Sequence, residues 1–312
     1  MALAYIFPGQ GSQYPGMGKD LVENFPLAKR IFEELDDALQ VSVSRLCFEG
    51  SSEDLQLTEN TQPAILAVSV AVLRTMESEG FPQPDFVAGH SLGEYSALVA
   101  ARSLSQTDAI QTVRLRGSYM QEAVPVGTGA MAAVIGAELK DIEKACAEAS
   151  QGQVCGPANI NSPNQVVIAG NAEAVDRAGE LLRSGGAKRV LKLNVSAPFH
   201  SALMMPAQDR LAVDLERIEF ADLRVPLVTN VDAALIHEGA EARESLVRQV
   251  SLPVRWLESI ELLIKYGVDT FVEVGPGKVL TGLLRQISRE VKCLNVEDAA
   301  SLKNTGAGLG IS

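Results

Sequence analysis

The stretch Asp85-Phe86-Val87-Ala88-Gly89-His90-Ser91-Leu92-Gly93 joins a short apolar run to residues 94–101, which have the composition of a helix. A serine between two glycines at a strand-to-helix turn is typical of a nucleophile elbow. The glycines permit a strained turn and close packing, so the hydroxyl of Ser91 would project clear of both elements. Free N–H groups of the following helix would face the negative charge that develops when the hydroxyl attacks a carbonyl. The stretch therefore favours acyl transfer by Ser91.

Short apolar runs alternate with segments of helix length along the chain. We predict strands at 3–7, 86–88, 227–229, 270–274 and 292–295, and helices at 27–39, 61–78, 105–122, 241–250, 256–265 and 278–287. This alternation indicates an α/β fold, with a mainly parallel sheet covered by helices. The glycine-rich residues 304–310 show no periodicity, and we expect a loose tail there.

The order of elements changes between residues 125 and 197. We predict strands at 131–135, around 158–160, at 165–169 and at 189–195, with helices at 139–149 and 172–183. The resulting order β-α-β-β-α-β is ferredoxin-like. We therefore expect residues 125–197 to form a small subdomain inserted into a large one made of 1–124 and 198–312. The crevice between two such units is a candidate ligand site.

Composition excludes several classes of function. The chain has 312 residues, 46% of them hydrophobic, which is enough for a large core. Its net charge of −12 opposes nonspecific binding to nucleic acid. The four cysteines form no C-x-x-C pair, which argues against a zinc site or a disulfide framework. No apolar stretch approaches the roughly 20 residues of a membrane helix, and the first residues do not resemble a secretory signal. We expect a cytoplasmic monomer without a membrane partner.

A serine hydroxyl needs a base, and the chain contains three histidines. His90 adjoins Ser91 on a tight turn, where neighbouring side chains diverge, so we interpret it as structural. His237 lies in a polar loop and is expected to be solvated. His200 follows Ala197-Pro198-Phe199, where the insert returns to the large unit, and would face the crevice. It is the favoured base. No acidic residue stands out as a third member, so a backbone carbonyl or an amide remains an alternative.

The loop Phe7-Pro8-Gly9-Gln10-Gly11-Ser12-Gln13 ends the first predicted strand. It matches neither G-x-G-x-x-G nor the P-loop, which disfavours nucleotide binding. The carboxyl ends of strands in α/β sheets are where ligands bind. The backbone N–H of Gln10 could therefore complete an oxyanion hole with that of Leu92, or the loop could be a plain turn.

Two groups of cationic side chains could contact anions. Arg114 and Arg116 flank the apolar face of the predicted helix 105–122, and either could be partly buried. Its partner would be a substrate carboxylate or a carboxylate in a structural ion pair. Lys188, Arg189 and Lys192 are either a docking patch for an anionic partner or a solvated strand edge.

Five motifs together resemble the malonyl-CoA:acyl carrier protein transacylases, the acyltransferase family of fatty acid and polyketide synthesis. The resemblance covers almost the whole chain, and the motifs occur in the same order as in the family. The motifs are Phe7 to Gln13, Gly89 to Gly93, Arg116 within Arg116-Gly-Ser-Tyr-Met-Gln-Glu122, Ala197-Pro-Phe-His200, and Gln249 before Val250-Ser-Leu-Pro253. The resemblance implies an α/β-hydrolase-like large subdomain with a ferredoxin-like insert.

The resemblance also implies roles for the site residues. Ser91 would be the nucleophile and His200 the base, with the backbone carbonyl of Gln249 holding the imidazole N–H. The backbone amides of Gln10 and Leu92 would form the oxyanion hole.

Substrate and partners follow from the same resemblance. Arg116 would bind the malonyl carboxylate, and Phe199 would crowd an α-methyl group, which favours malonyl over methylmalonyl. The reaction would be ping-pong between a coenzyme A thioester and acyl carrier protein, without metal or bound cofactor. The alternatives are a trans-acting acyltransferase of a polyketide pathway, a serine esterase with water as acceptor, and a noncatalytic module that binds carrier protein.

Overall fold

The computed structural model describes residues 2–125, 127–195 and 197–311. Its strands are Ala2–Phe7 (β1), Phe86–Gly89 (β2), Gly129–Ile135 (β3), Cys155–Ser162 (β4), Gln165–Asn171 (β5), Arg189–Lys192 (β6), Leu227–Val228 (β7), Leu235–Ile236 (β8), Val268–Val274 (β9) and Lys292–Val296 (β10). Its α-helices are Lys19–Asn24 (α1), Pro26–Leu39 (α2), Val43–Glu49 (α3), Ser52–Gln56 (α4), Thr58–Ser78 (α5), Gly93–Ala100 (α6), Gln106–Glu122 (α7), Leu139–Ser150 (α8), Ala172–Ser184 (α9), Met205–Leu215 (α10), Gly239–Gln249 (α11), Trp256–Lys265 (α12), Val279–Ile287 (α13) and Ala299–Leu309 (α14).

The larger sheet has the strand order β10-β9-β1-β2-β7-β8. Its strands pair in parallel except for β8, which runs antiparallel to β7. The mainly parallel sheet that the sequence predicts is therefore confirmed. Its central strand is buried on both faces, because Tyr5 and Phe7 of β1 belong to one apolar cluster and Ala4 and Ile6 to another.

Helices cover both faces of this sheet. On one face lies α5, which is buried along almost its whole length between α2 and α7. On the other face, Trp256 and Ile260 of α12 pack with Leu284 of α13 against the sheet. None of the helices within the described ranges is long and apolar enough to cross a membrane.

The smaller sheet has the strand order β4-β5-β3-β6, and all its pairs are antiparallel. Helices α8 and α9 pack on one face through a cluster that includes Ile142, Val175 and Ile168. The other face contributes Met131 and Val167 to the main core. This is the predicted ferredoxin-like arrangement. The predicted insert, 125–197, contains residues 126 and 196, which lie next to its boundaries and outside the described residues.

The ends of most predicted helices agree with the structure to within a few residues. Helix α12 has the predicted bounds, and α7 begins at Gln106, where the backbone N–H of Asp108 donates to the hydroxyl of Ser105. Helix α5 begins three residues earlier than predicted, at Thr58. The prediction contains no counterpart of helices α1, α3, α4 and α10 or of strand β8.

The prediction of a loose tail at 304–310 is wrong. Residues 304–309 form the second half of helix α14, which packs on β10, and Gly310 is its C-cap. Asp298 and Ser301 form a capping box at its start, and Leu302 is buried. The glycines allow a close approach, because a Cβ on Gly308 would lie 3.3 Å from the side chain of Leu294. Packing against β10 therefore outweighs the low helix propensity of glycine.

Candidate active site

The turn at Ser91 brings a hydroxyl to the carboxyl end of β2. Its backbone φ of 53° lies in the left-handed region. A Cβ on Gly93 would lie 2.1 Å from the carbonyl oxygen of Phe7, so only glycine permits this approach of α6 to β1. Asn230 holds the turn, since its Oδ1 accepts from the backbone N–H of Ser91 over 2.6 Å and its Nδ2 donates to the carbonyl of Gly89 over 2.6 Å.

His200 lies against the serine hydroxyl. Its Nε2 is 2.7 Å from Oγ of Ser91, and its Nδ1 is 2.8 Å from the backbone carbonyl oxygen of Gln249. A carbonyl only accepts, so Nδ1 carries the proton and Nε2 can accept one from the hydroxyl. Burial and the nearby charge of Arg116 lower the pKa of His200 from 6.5 to about 3. The imidazole is therefore neutral and can act as a base at physiological pH.

Arg116 presents a buried guanidinium to the same hydroxyl. Its Nη2 donates to Oγ of Ser91 over 3.1 Å and to Oε1 of Gln249 over 3.0 Å, while Nη1 donates to Oε1 of Gln62 over 2.6 Å. Only 2% of the residue is exposed. Nε has no hydrogen-bond partner and the guanidinium no ion pair among the described residues. An arginine in this state can bind a carboxylate.

The structure separates the two arginines between which the sequence does not choose. Arg114 donates to the backbone carbonyl of Glu59 and to Oδ1 of Asn60, over 2.8 and 2.6 Å, outside the cleft. Arg116, two residues further along α7, points into the cleft. Arg114 therefore has a structural role, whereas Arg116 has an N–H donor, at Nε, without a partner among the described residues.

Gln10 and Leu92 lie beside Ser91 on the cleft wall. A Cβ on Gly9 would lie 2.4 Å from the carbonyl oxygen of His90, which shows how tightly the first loop packs on the elbow. Neither the backbone N–H of Gln10 nor that of Leu92 donates to an acceptor in the described part of the chain. These two donors are therefore the candidates for the predicted oxyanion hole.

The cleft lies between the large unit and the small sheet, with a volume of about 100 Å³. Met131 and Asn159 line it from the small sheet, and Phe199 lines it next to His200. The predicted crevice is therefore present, with Phe199 on its wall. His90 also lines the cleft, where its Nε2 lies 2.8 Å from Oδ1 of Asn161.

The remaining predicted candidates lie away from the cleft. His237 is exposed, as predicted. Lys188, Arg189 and Lys192 are exposed on or next to β6, an edge strand of the small sheet, and Lys192 pairs with Asp176 at 3.2 Å. Within the described residues no group of three or more His, Cys, Asp or Glu side chains is arranged to hold a metal ion.

Sequence reasoning missed three residues that hold the site: Gln62, Asn230 and Glu94. Gln62 lies inside α5 and carries no motif. Asn230 follows β7, so its position at the carboxyl end of a parallel strand was an available signal. Glu94 also had a signal in the sequence, because it is the one charged residue in the segment 93–100, directly after the elbow.

Comparison with known proteins identifies the class. The model of the acyl transferase domain family matches residues 4–306, and the chain belongs to that family. It is an acyltransferase with an α/β fold, as its serine elbow suggests.

Relatives within the family have a more specific name. The chain is 48% identical over 302 residues to a malonyl CoA-acyl carrier protein transacylase of Bacillus subtilis (strain 168), covering 96% of this chain and 95% of the relative. A crystal structure of an acyl carrier protein S-malonyltransferase from Vibrio cholerae is 48% identical, with a TM-score of 0.96 over 98% of this chain and 100% of that one. A malonyl-transacylase in complex with a type II PKS acyl-carrier protein is also 48% identical, with a TM-score of 0.97 over 99% and 100%.

Proposed function

We propose that this protein transfers the malonyl group of malonyl-CoA to the phosphopantetheine thiol of acyl carrier protein, through a malonyl ester on Ser91. The observation that carries the proposal is the hydrogen bond of 3.1 Å between Arg116 and Ser91, made by a buried guanidinium that forms no ion pair among the described residues. A cation at this distance from the nucleophile matches an acyl group that ends in a carboxylate. The names of the relatives support the same substrate and acceptor.

In the first half-reaction, Nε2 of His200 takes the proton of Ser91 while Oγ attacks the thioester carbonyl. The backbone N–H groups of Gln10 and Leu92 stabilise the oxyanion, each by about 3–4 kcal/mol. The carbonyl of Gln249 accepts from Nδ1–H and so stabilises the imidazolium, in the role that an aspartate has in other triads. The intermediate then collapses, the C–S bond breaks, and His200 returns the proton to the coenzyme A sulfur.

The second half-reaction reverses these steps with a different thiol. His200 takes the proton of the phosphopantetheine thiol, and the sulfur attacks the carbonyl of the malonyl ester. The ester C–O bond breaks and the proton returns to Oγ of Ser91. One thioester is exchanged for another, and the chemistry requires neither a metal ion nor a bound cofactor.

Selection of the acyl group falls to Arg116 and Phe199. The guanidinium can bind the malonyl carboxylate through donors that now contact Ser91 or have no partner. Phe199 lines the cleft and is 7% exposed, so it restricts the space for a substituent on the α-carbon. Malonyl is therefore preferred over acetyl on charge and over methylmalonyl on size.

The proposed setting is fatty acid biosynthesis in the cytoplasm, with the protein acting as a monomer. Four free cysteines fit a reducing compartment. Lys188, Arg189 and Lys192 are exposed cations in a chain of net charge −12, and they are candidate contacts for an acidic carrier protein. Charge reversal at these residues should raise the KM for carrier protein and leave coenzyme A kinetics unchanged.

The polyketide alternative is supported by the type II PKS acyl-carrier protein bound to one of the structural relatives. The two pathways differ in the carrier protein and not in the chemistry at Ser91. Transfer rates to a fatty acid carrier protein and to a polyketide carrier protein, measured side by side, test the assignment. A faster transfer to the polyketide carrier would reverse it.

Intact-mass measurement after mixing with malonyl-CoA tests the reaction. We expect one malonyl adduct that is absent from Ser91→Ala and is lost on addition of holo acyl carrier protein, which gains it. An unchanged mass, or an adduct that persists in Ser91→Ala, refutes the proposal. Release of free malonate without transfer to carrier protein identifies an esterase.

A further inference from the structure

Glu94 is a fully buried carboxyl group close to the reacting atoms, and the mechanism above does not use it. It is the second residue of α6 and directly follows the elbow. It is the only charged residue of α6, and it is 0% exposed. Burial raises its pKa to about 7, although hydrogen bonds and the charge of Arg116 oppose that rise. A carboxyl group kept at such a cost calls for a specific role.

Three donors converge on this carboxyl group. Its Oε2 accepts from Nε2 of Gln249 over 2.8 Å and from the backbone N–H of Asn230 over 3.0 Å. Its Oε1 accepts from the hydroxyl of Ser245 over 3.3 Å. Two of these donors belong to residues that touch the catalytic centre, because Asn230 holds the turn at Ser91 and Gln249 contacts both His200 and Arg116.

The hydrogen bonds of Gln249 allow only one orientation of its amide. Nε2 faces three acceptors: Oε2 of Glu94 at 2.8 Å, the backbone carbonyl of Ser91 at 3.0 Å and, more distantly, Oδ1 of Asn230 at 3.5 Å. Oε1 faces a donor, Nη2 of Arg116 at 3.0 Å. A rotation by 180° would oppose donor to donor or acceptor to acceptor at each of these contacts. Glu94, the nearest of the acceptors, and the carbonyl of Ser91 therefore both select the orientation that gives Arg116 an acceptor.

We propose that Glu94 is a positioning residue for malonyl transfer: its acceptor oxygen fixes the Gln249 amide, which in turn aims the Arg116 guanidinium at the acyl group. The inference rests on the function proposed above. The amide separates two charges that would otherwise pair. A carboxylate in direct contact with Arg116 would compete with the substrate carboxylate, whereas the neutral oxygen of Gln249 orients the guanidinium and leaves its charge for the substrate.

Two substitutions at position 94 separate the acceptor from mere bulk. Glu94→Met keeps the volume and removes the acceptor, so the amide of Gln249 loses its strongest constraint. We expect the ratio of kcat/KM for malonyl-CoA to that for acetyl-CoA to fall about tenfold, mainly through a higher KM for malonyl-CoA. Glu94→Gln should keep most of the ratio, because one carboxamide oxygen can accept from Gln249 and Asn230 while its NH₂ group donates to Ser245.

Glu273 offers a matched control. It is equally buried, lies on β9, and accepts from the backbone N–H groups of Leu280 and Thr281 over 3.0 and 2.7 Å, away from the cleft. Glu273→Met should lower stability and leave the malonyl-to-acetyl ratio unchanged. If the role of Glu94 were purely structural, Glu94→Met would behave like Glu273→Met. The active fraction would then be smaller for both substrates, and the KM would be unaltered.

The outcomes are distinct. Either a wild-type ratio in folded Glu94→Met, or an equal loss in Glu94→Gln, overturns the inference. If Glu94→Met does not fold, Gln249→Leu removes the amide but keeps the backbone carbonyl that holds His200, and an unchanged ratio in that variant overturns it instead. Absence of a malonyl adduct in the wild-type protein would refute the proposed function itself, which these variants do not test.

Discussion

The guanidinium of Arg116 donates a hydrogen bond to the hydroxyl oxygen of Ser91 over 3.1 Å. Ser91 lies on the turn between β2 and α6, whereas Arg116 lies on α7, so the contact forms only when α7 packs beside this turn. A single cation this close to the nucleophile favours an acyl group whose carboxylate is only one methylene away from the reacting carbonyl. The position of the guanidinium therefore fits a malonyl group in both charge and length.

Removal of this guanidinium should change the choice of acyl group. We expect Arg116→Ala to lower kcat/KM for malonyl-CoA about a hundredfold or more, because the substrate carboxylate would enter a buried site without its partner. Acylation by acetyl-CoA should be spared. Steady-state kinetics with both thioesters give the comparison.

Arg114→Ala is the matched control, since Arg114 lies on the same helix and bonds to Glu59 and Asn60 outside the cleft. Its ratio of malonyl to acetyl activity should equal that of the wild type. Equal losses for both thioesters in Arg116→Ala would contradict the assigned role.

The pKa of His200 sets the acid side of the rate profile. Burial and the charge of Arg116 lower this pKa from 6.5 to about 3, so the base stays unprotonated as the pH falls below neutrality. The rate of Ser91 acylation should therefore not fall between about pH 7.5 and pH 5.5 through titration of the imidazole. Stopped-flow or quenched acylation assays measure this rate in the wild type and in Glu94→Gln, because the carboxyl of Glu94 has a pKa of about 7 in the same range. A decline with a midpoint near the ordinary histidine value that persists in Glu94→Gln is the contrary result.

The same pKa shift makes stability depend on pH. Between about pH 3 and pH 6.5 the unfolded chain binds a proton at position 200 that the native protein does not, so this residue destabilises the native state as pH falls. The slope is about 1.4 kcal/mol per pH unit. Urea unfolding of wild type and His200→Gln at several pH values should show their difference in stability shrink or reverse toward acid. A difference independent of pH would count against the shift.

The glycine at position 93 should tolerate no side chain. In Gly93→Ala the new Cβ would lie 2.1 Å from the carbonyl oxygen of Phe7, and we expect a loss of about 3 kcal/mol in the free energy of unfolding together with reduced acylation. Gly282→Ala on α13, where no atom lies within 4 Å of the added Cβ, should instead gain about 0.5–1 kcal/mol. Urea denaturation measures both, and a tolerated Gly93→Ala would show that the elbow is not sterically tight.

The carboxyl-terminal helix should depend on its cap. The side chain of Asp298 accepts from the backbone N–H of Ser301 over 2.7 Å, so Asp298→Ala should cost about 1 kcal/mol and speed amide hydrogen exchange in α14. Asp176→Ala breaks only the exposed ion pair with Lys192 and should change stability by less than about 0.5 kcal/mol. Unprotected amides throughout 304–310 in the wild type would instead agree with the loose tail that the sequence predicts.

Much of the fold could be predicted because its periodic segments are strong. The alternating residues of β1 face two cores, and α12 lies between its caps Arg255 and Tyr266, with Gly267 directly after Tyr266, so local pattern and tertiary context agree. The failures have the opposite cause. Helix α14 is rich in glycine, and its formation depends on contacts with β10 and Phe81 that no local pattern reveals.

The candidate site divides in the same way. Ser91 has a signal in the glycines that surround it, and His200 and Arg116 belong to short sets of alternatives that the motifs narrow. Gln62 has no signal in the sequence and Asn230 has only a weak one. Both hold other residues through hydrogen bonds between elements far apart in the chain.

The sequence itself determined the alternation of strands and helices and the serine turn. It also limited the candidate bases and cations to a few residues. These features depend on propensity, periodicity and glycine sterics, which act over short distances along the chain. The tertiary structure decided which arginine enters the cleft, which carbonyl holds His200 and how Glu94 reaches Arg116 through Gln249. These contacts join residues up to 155 positions apart, and hydrogen-bond geometry at that separation exists only after the chain has packed.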